Sequence, residues 1–192
     1  MLDSDTVTEP TRAQAARVAR ELQIVTAARE IAEADGWPAV TVRRLADAIG
    51  FSQPVLYGHF PDGRDGIVRA VAVQGFEELA GILSAGRPGG TARSRVDRVA
   101  NRYLDFAAGH PATYEAMFTM PIGLHFGGPD APQALRDSFA PLAAAVGPGG
   151  DAESRAELFW SALHGLAELG KNKRLRPSHH KARVRLLVDR FS

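Results

Sequence analysis

The chain has 192 residues, 45% hydrophobic and 23% charged, with a formal net charge of +1. That profile fits one globular domain or a small two-part chain, with no global pull toward nucleic acid or membrane. The absence of cysteine excludes a disulfide scaffold, a zinc finger, an iron–sulfur site and a thiol nucleophile.

Helical spacing of apolar residues is widespread and alternating strand patterns are nearly absent, so the expected fold is all-α, with about nine helices. Residues 1–11 read as a disordered tail. A first helix is expected over 13–34, with Val18, Leu22 and Val25 as one apolar stripe and Ile24, Ala28 and Ile31 as its neighbour. Gly36 stops it. A short helix follows from Val40-Thr41 to Gly50, with Leu45, Ala46 and Ile49 inward. A third begins at Gln53-Pro54, with Ser52 as N-cap, and ends by Phe60-Pro61. Pro61-Asp62-Gly63 is a turn, and a long helix runs over 64–83. Further helices are expected over 91–108, 111–119, 133–146, 151–169 (capped by Asp151) and 178–191, with loops at 85–90, 120–132 and 147–150. The expected organisation is a tail over 1–11, a helix-turn-helix domain over 12–62 and a helical domain over 63–192. With no apolar run long enough to span a membrane and an acidic, polar start, a cytoplasmic protein is expected.

Ala46, Gly50 and Leu56 have helix-turn-helix spacing. Two helices crossing at a tight corner need a small residue at the crossing, here Ala46. They also need a residue tolerant of positive φ at the corner, here Gly50. Leu45, Ile49, Val55 and Leu56 offer the locking contacts. The second helix of the pair would then project into a major groove. A helix–Gly–helix corner in an ordinary bundle is the alternative.

Residues 24–71 resemble the N-terminal domain of tetracycline-repressor-type (TetR family) regulators. The matching pieces are Ile24 with Ala27-Ala28, Gly36, Thr41 to Ala46, Gly50, and Leu56-Tyr57-Gly58-His59-Phe60. Farther on, His110 to Tyr114 and Phe159 to Leu166 resemble a C-terminal subclass marked by a Trp–His–Gly motif. Two departures stand out. Gly58 occupies a position that is often bulky or basic, and Arg64 falls one place later than the usual Lys. The resemblance implies that Thr41, Tyr57, His59 and Arg64 contact DNA phosphates. Arg43 and Arg44 lie where one could reach a groove or a phosphate. Ser52, Gln53 and Pro54 open the recognition helix, and Gln53 suits adenine. Partly buried packing for Tyr57, a helix-ending role for His59 and simple solvation for one arginine are the alternatives.

On the penultimate helix Leu158, Ala162, Leu166 and Leu169 form one stripe, and Phe159, Leu163 and Ala167 a second. A helix apolar on two sides must bury both. With Val184, Leu187, Val188 and Phe191 of the last helix, this predicts a homodimer built on a four-helix bundle, a monomer core being the alternative. A dimer suits a palindromic double-stranded operator. Tyr103, Phe106, Tyr114, Met117, Phe118, His125, Phe126, Trp160 and His164 are candidates for an apolar effector pocket, with core packing as the alternative. For His164 the alternative is a bond to a backbone carbonyl. Between Lys171 and Arg190 eight Lys or Arg face one Asp, a balance of +7. That run reads as a solvated face or, alternatively, a nucleic-acid patch.

Signals for chemistry are missing. The Gly-rich segments lack a following Lys-Ser or Lys-Thr, no Gly-x-Ser-x-Gly elbow occurs, and His179-His180 are adjacent rather than four apart. No enzyme, cofactor or metal site is expected. The reading is a ligand-responsive repressor, released from its operator by an apolar small molecule. A scaffold or adaptor of the same fold that has lost DNA binding is the alternative.

Overall fold

The computed structural model describes residues 11–86, 89–121, 123 and 131–192. The expected tail, apart from Thr11, therefore lies outside the described residues, as do His125 and Phe126. The described residues form nine α-helices and two 3-10 turns, with no strand. The chain divides into two compact units, Met1–Ala70 and Val71–Ser192. The division falls inside the fourth helix, whose residues Ile67, Val68, Val71 and Ala72 are fully buried on either side of it.

The first unit holds α1 (Arg12–Asp35), α2 (Val42–Ile49), α3 (Gln53–His59) and the start of α4 (Arg64–Ser84). Thr11 and Gln14 cap α1 reciprocally, each side chain accepting the other's amide proton. Gly36 ends the helix at φ 80°. Only the C-terminal half of α1 is packed, through Ile24, Val25, Ala27, Ala28 and Ala32. The stripe expected to include Val18 and Leu22 is not buried: they are 63% and 54% exposed. The helix extends beyond the neighbours that could cover it, and every residue from Thr11 to Arg20 is exposed. A 3-10 turn, Trp37–Ala39, precedes α2 and buries Trp37.

In the second unit α5 (Ala92–Gly109) packs against α6 (Pro111–Phe118), α7 (Gln133–Val146), α8 (Ala152–Lys171) and α9 (His180–Phe191). Thr91 caps α5 by accepting from the Ser94 amide at 3.2 Å. Asp151 stands at the N-cap of α8 without a side-chain cap bond, contrary to expectation. The last helix starts at His180, after a 3-10 turn over Pro177–His179. Residues 71–84 of α4 belong to this unit and approach α6 closely. A Cβ built on Gly75 would lie 2.6 Å from Met117 Sδ and 2.7 Å from Thr113 Cγ2. An ion pair between Arg93 and Asp189 ties the start of α5 to the end of α9.

Candidate functional site

The corner between α2 and α3 forms as the residues dictate. Gly50 sits at φ 69°, ψ 27°, in the left-handed region. The amide of Phe51 reaches back to the Ala46 carbonyl at 3.0 Å. Leu45, Ala46 and Leu56 are buried to 4% exposure or less. Burial of one such leucine is worth about 1.5–3 kcal/mol. Val55 does not join them. It is 38% exposed and stands on the outer face of α3.

That outer face is a continuous exposed surface. Ser52, Gln53, Pro54, Val55, Tyr57 and Gly58 are all exposed, as are Thr41, Arg43 and Arg44 at the start of α2. Ser52 is the N-cap of α3 but makes no side-chain cap bond. Thr41 Oγ1 accepts from the Arg44 amide at 3.1 Å, so its own proton remains available to a phosphate. Tyr57 is half exposed, and its ring lies over Gly63, 3.1 Å from where a Cβ would stand. A Cβ on Gly58 would meet nothing within 4 Å.

Three residues nominated for phosphate contact are engaged within the unit. Arg64 Nε and Nη2 donate to the carbonyls of Val40 and Trp37, each at 3.0 Å. Its guanidinium is the pin that holds the 3-10 turn to the start of α4. His59, its side chain 9% exposed, places Nδ1 3.3 Å from Glu21 Oε1. Glu21 also pairs with Arg17 at 2.9 Å, and Arg17 bonds the Gly58 carbonyl at 3.3 Å. His59 therefore closes the end of α3 onto α1. Arg44 pairs with Asp35. Arg43 has no ion-pair partner within 4 Å among the described residues. An apolar residue inside a short helix reads as core, which is why Val55 is expected among the locking contacts.

In the second unit the nominated aromatic residues fill their own space. Tyr103, Phe106, Tyr114 and Met117 are buried to 3% or less, and Phe118, Trp160 and His164 are half-buried. The void among Leu79, Tyr103, Phe118, Ser138, Phe139, Leu142 and Trp160 is about 10 Å³. That holds about one water and no effector. The described members of the expected pocket form a packed cluster, because their rings meet edge to face and tilted: Phe76 on Phe118 at 5.3 Å, Tyr114 on Phe118 at 4.7 Å, Phe139 on Trp160 at 6.1 Å.

A hydrogen-bond relay runs through this cluster. Trp160 Nε1 donates to Tyr103 Oη at 3.1 Å. The Tyr103 and Tyr114 hydroxyls are 2.8 Å apart, and Tyr114 Oη lies 2.8 Å from His164 Nδ1. Indole can only donate. The arrangement that satisfies every group therefore runs one way, Tyr103 to Tyr114 to Nδ1, with the imidazole neutral and its proton on Nε2. Burial pushes both phenols above their ordinary value and His164 below its own, with Glu168 pulling His164 the other way. The relay closes a loop from α8 through α5 and α6 back to α8.

A roomier space lies elsewhere. A groove of about 660 Å³ runs along residues of α4, α5 and α7, including Leu83, Val99 and Pro141. None of the nominated aromatic residues lines it.

The apolar residues expected at a dimer interface fall into three groups. Phe159, Val184 and Val188 are buried inside the chain, to 5% exposure or less, and have no area left for a second copy. Leu158 and Leu169 are 63% and 42% exposed. Ala162, Leu166, Leu187 and Phe191 are half-buried. Leu186, outside those groups, is also 63% exposed. Among the described residues no three His, Asp or Glu cluster as metal ligands, and no helix is long and apolar enough to cross a membrane.

Comparison with known proteins agrees with this architecture. Residues 24–71 match the family described as bacterial regulatory proteins, tetR family, and residues 96–191 match the tetracyclin repressor-like C-terminal domain. An HTH-type transcriptional regulator of Mycobacterium tuberculosis is 34% identical over 164 residues, covering 82% of this chain and 72% of the relative. A protein of unknown function from Rhodococcus sp. RHA1 superposes with a TM-score of 0.70 at 24% identity, over 89% of this chain and 92% of its own. A tetR-family transcriptional regulator from Streptomyces coelicolor gives 0.64 at 21%, over 90% and 77%. A TetR variant from Acinetobacter baumannii in complex with minocycline gives 0.60 at 16%, over 88% and 91%. With a glycine-cornered helix pair in its first unit and family matches across both units, this chain belongs to the tetR family of bacterial transcriptional regulators and carries that family's helix-turn-helix DNA-binding domain.

Proposed function

We propose that two copies of the chain bind a palindromic duplex operator through α3, repress transcription there, and leave the DNA when a largely apolar small molecule occupies the second unit. The observation that carries the reading is the exposed face of α3, with Gln53 and Val55 clear of the core. Gln53 suits the donor–acceptor edge of adenine, and Val55 suits a thymine methyl. Thr41, Arg43 and Tyr57 would set register on the phosphates. Arg64 and His59 would act indirectly, by holding the helix pair in shape.

The homodimer is supported by Leu158, Leu169 and Leu186, three large apolar side chains left in solvent on α8 and α9. A second copy related by a two-fold axis would cover them and supply the second recognition helix. Effector control is supported by the minocycline complex of the Acinetobacter TetR and by the groove in this chain's second unit. A hundredfold switch requires the effector to favour the released state by about 3 kcal/mol.

One observation favours an adaptor that no longer binds DNA: Arg44 and Arg64 are already engaged within the unit, and Gly58 offers no side chain. Selection of the purified chain on random duplexes separates the two. Enrichment of a palindrome supports the operator reading. A folded dimer that enriches nothing at low salt contradicts it.

A further inference from the structure

The groove in the second unit has a pronounced chemical asymmetry. Its walls are small and apolar: Ala80, Leu83, Val99, Ala140, Pro141 and Ala145. Among the described residues, the charged groups lining it are Arg95, Arg98 and Asp137, with Ser84 the one hydroxyl. Arg95 and Arg98 stand one turn apart on α5, both half-buried. Arg95 Nη1 donates to the Gly90 carbonyl at 3.0 Å. Among the described residues, no carboxylate lies within 4 Å of either guanidinium. Asp137 is not such a partner, and one of its oxygens accepts from Gln133 Nε2 at 2.6 Å.

Two like charges one turn apart repel, and half-burial strips both of part of their hydration without a counter-charge in return. An anion between them relieves both penalties. A guanidinium fork matches a carboxylate in two parallel bonds. Apart from Asp137, whose carboxylate already accepts from Gln133, and Ser84, the rest of the described lining is apolar, and about 660 Å³ is within the usual size of a small-molecule site.

We propose that this groove binds an amphipathic carboxylate, its head against Arg95 and Arg98 and its apolar body along α4 and α7. The proposal deepens the effector reading and rests on it for any consequence at DNA, whereas binding itself does not depend on that reading. Selectivity comes from the arginine pair and depth of binding from the alanine-rich walls. Because the described lining residues include no aromatic ring, a flexible aliphatic body fits them better than a stack of planar rings.

The test is calorimetric titration of the full chain with decanoate, decanol and decyltrimethylammonium, each below its micellar concentration. Decanoate is expected to bind at least tenfold more tightly than decanol, and the ammonium more weakly than either. Raising the salt should weaken decanoate alone. The double variant Arg95→Gln/Arg98→Gln should bring decanoate down to the level of decanol. Ala144→Trp, which places an indole in the groove, should abolish binding of both, with melting curves confirming the fold of each variant. Equal affinity for decanoate and decanol, undiminished binding to Ala144→Trp, or no binding of decanoate would each overturn the proposal. A parallel titration with a duplex selected by the chain separates the two ideas. Decanoate that binds in the groove but leaves the duplex bound upholds the site and contradicts its role as effector site.

Discussion

The hydroxyl of Tyr114 on α6 meets Nδ1 of His164 on α8 at 2.8 Å, and the same hydroxyl meets Tyr103 of α5 at 2.8 Å. One phenol thus joins three helices, and Trp160 fixes the direction in which the protons run. Tyr114→Phe would leave the Tyr103 proton and His164 Nδ1 without partners. The expected loss is about 1–3 kcal/mol, the penalty for stranding buried polar groups. Trp160→Phe removes a donor but strands nothing, so through the relay it should cost about 0.5–1.5 kcal/mol plus any loss of packing. Urea unfolding of both variants checks the order. A Tyr114→Phe protein as stable as the parent contradicts the relay.

The relay also sets a pH dependence. Burial lowers the pKa of His164 in the fold, so the unfolded chain takes up the proton more readily. Stability from this group is complete above the unfolded value of about 6.5 and is lost as pH falls through it toward the folded value. A proton on Nδ1 would reverse the Tyr114 bond and leave the Tyr103 proton without an acceptor. Denaturant midpoints at pH 7.5 and 5.5 should therefore differ more for the parent than for His164→Asn, whose amide oxygen can still accept from Tyr114. An equal drop in both proteins would refute the assignment.

Arg64 is a structural pin in this account. Its two bonds to the Val40 and Trp37 carbonyls predict that Arg64→Gln loses about 1.5–3 kcal/mol of stability. The slope of DNA affinity against salt should stay unchanged. A phosphate contact would instead lower that slope by about one unit with little effect on stability. Thermal melts and salt-titrated binding on the same protein distinguish the two roles.

Two glycines make opposite predictions. Gly75→Ala forces a methyl against Met117 and Thr113 and should cost about 1–3 kcal/mol by overpacking. Gly58→Ala meets open space in α3 and should stabilise by about 0.5–1 kcal/mol through backbone entropy. Gly58→Lys extends a cation from the exposed face and should raise affinity for all duplexes alike, with a steeper salt slope. Urea midpoints measure the two alanine variants, and salt-titrated binding measures the lysine.

Local chemistry made much of this structure legible in advance. Gly36, Gly50 and Thr91 mark helix ends through their own backbone or side-chain geometry, so those boundaries follow from neighbouring residues alone. What depended on distant partners was hidden. The carbonyls that hold Arg64 lie 24 and 27 residues upstream, and Tyr114 and His164 are 50 residues apart. Apolar periodicity named Val18 and Leu22 as core, but periodicity gives a face and not the reach of the element that must cover it. Tyr103, Tyr114, Phe118, Phe139 and Trp160 do come together in the second unit. Composition alone does not tell a cluster that fills its space from one that leaves a cavity, and alanines, which line much of the groove, carry no such signal.

The central claim is that the exposed face of α3 reads DNA as one half of a symmetric pair. The most direct measurement is parallel selection of the parent, Gln53→Ala and Val55→Ala on random duplexes. The account predicts a palindrome for the parent, with each variant relaxing preference at one symmetric pair of positions by about 1–3 kcal/mol and leaving the half-site spacing unchanged. Identical preferences in all three proteins, or a parent that enriches no symmetric site, would contradict it.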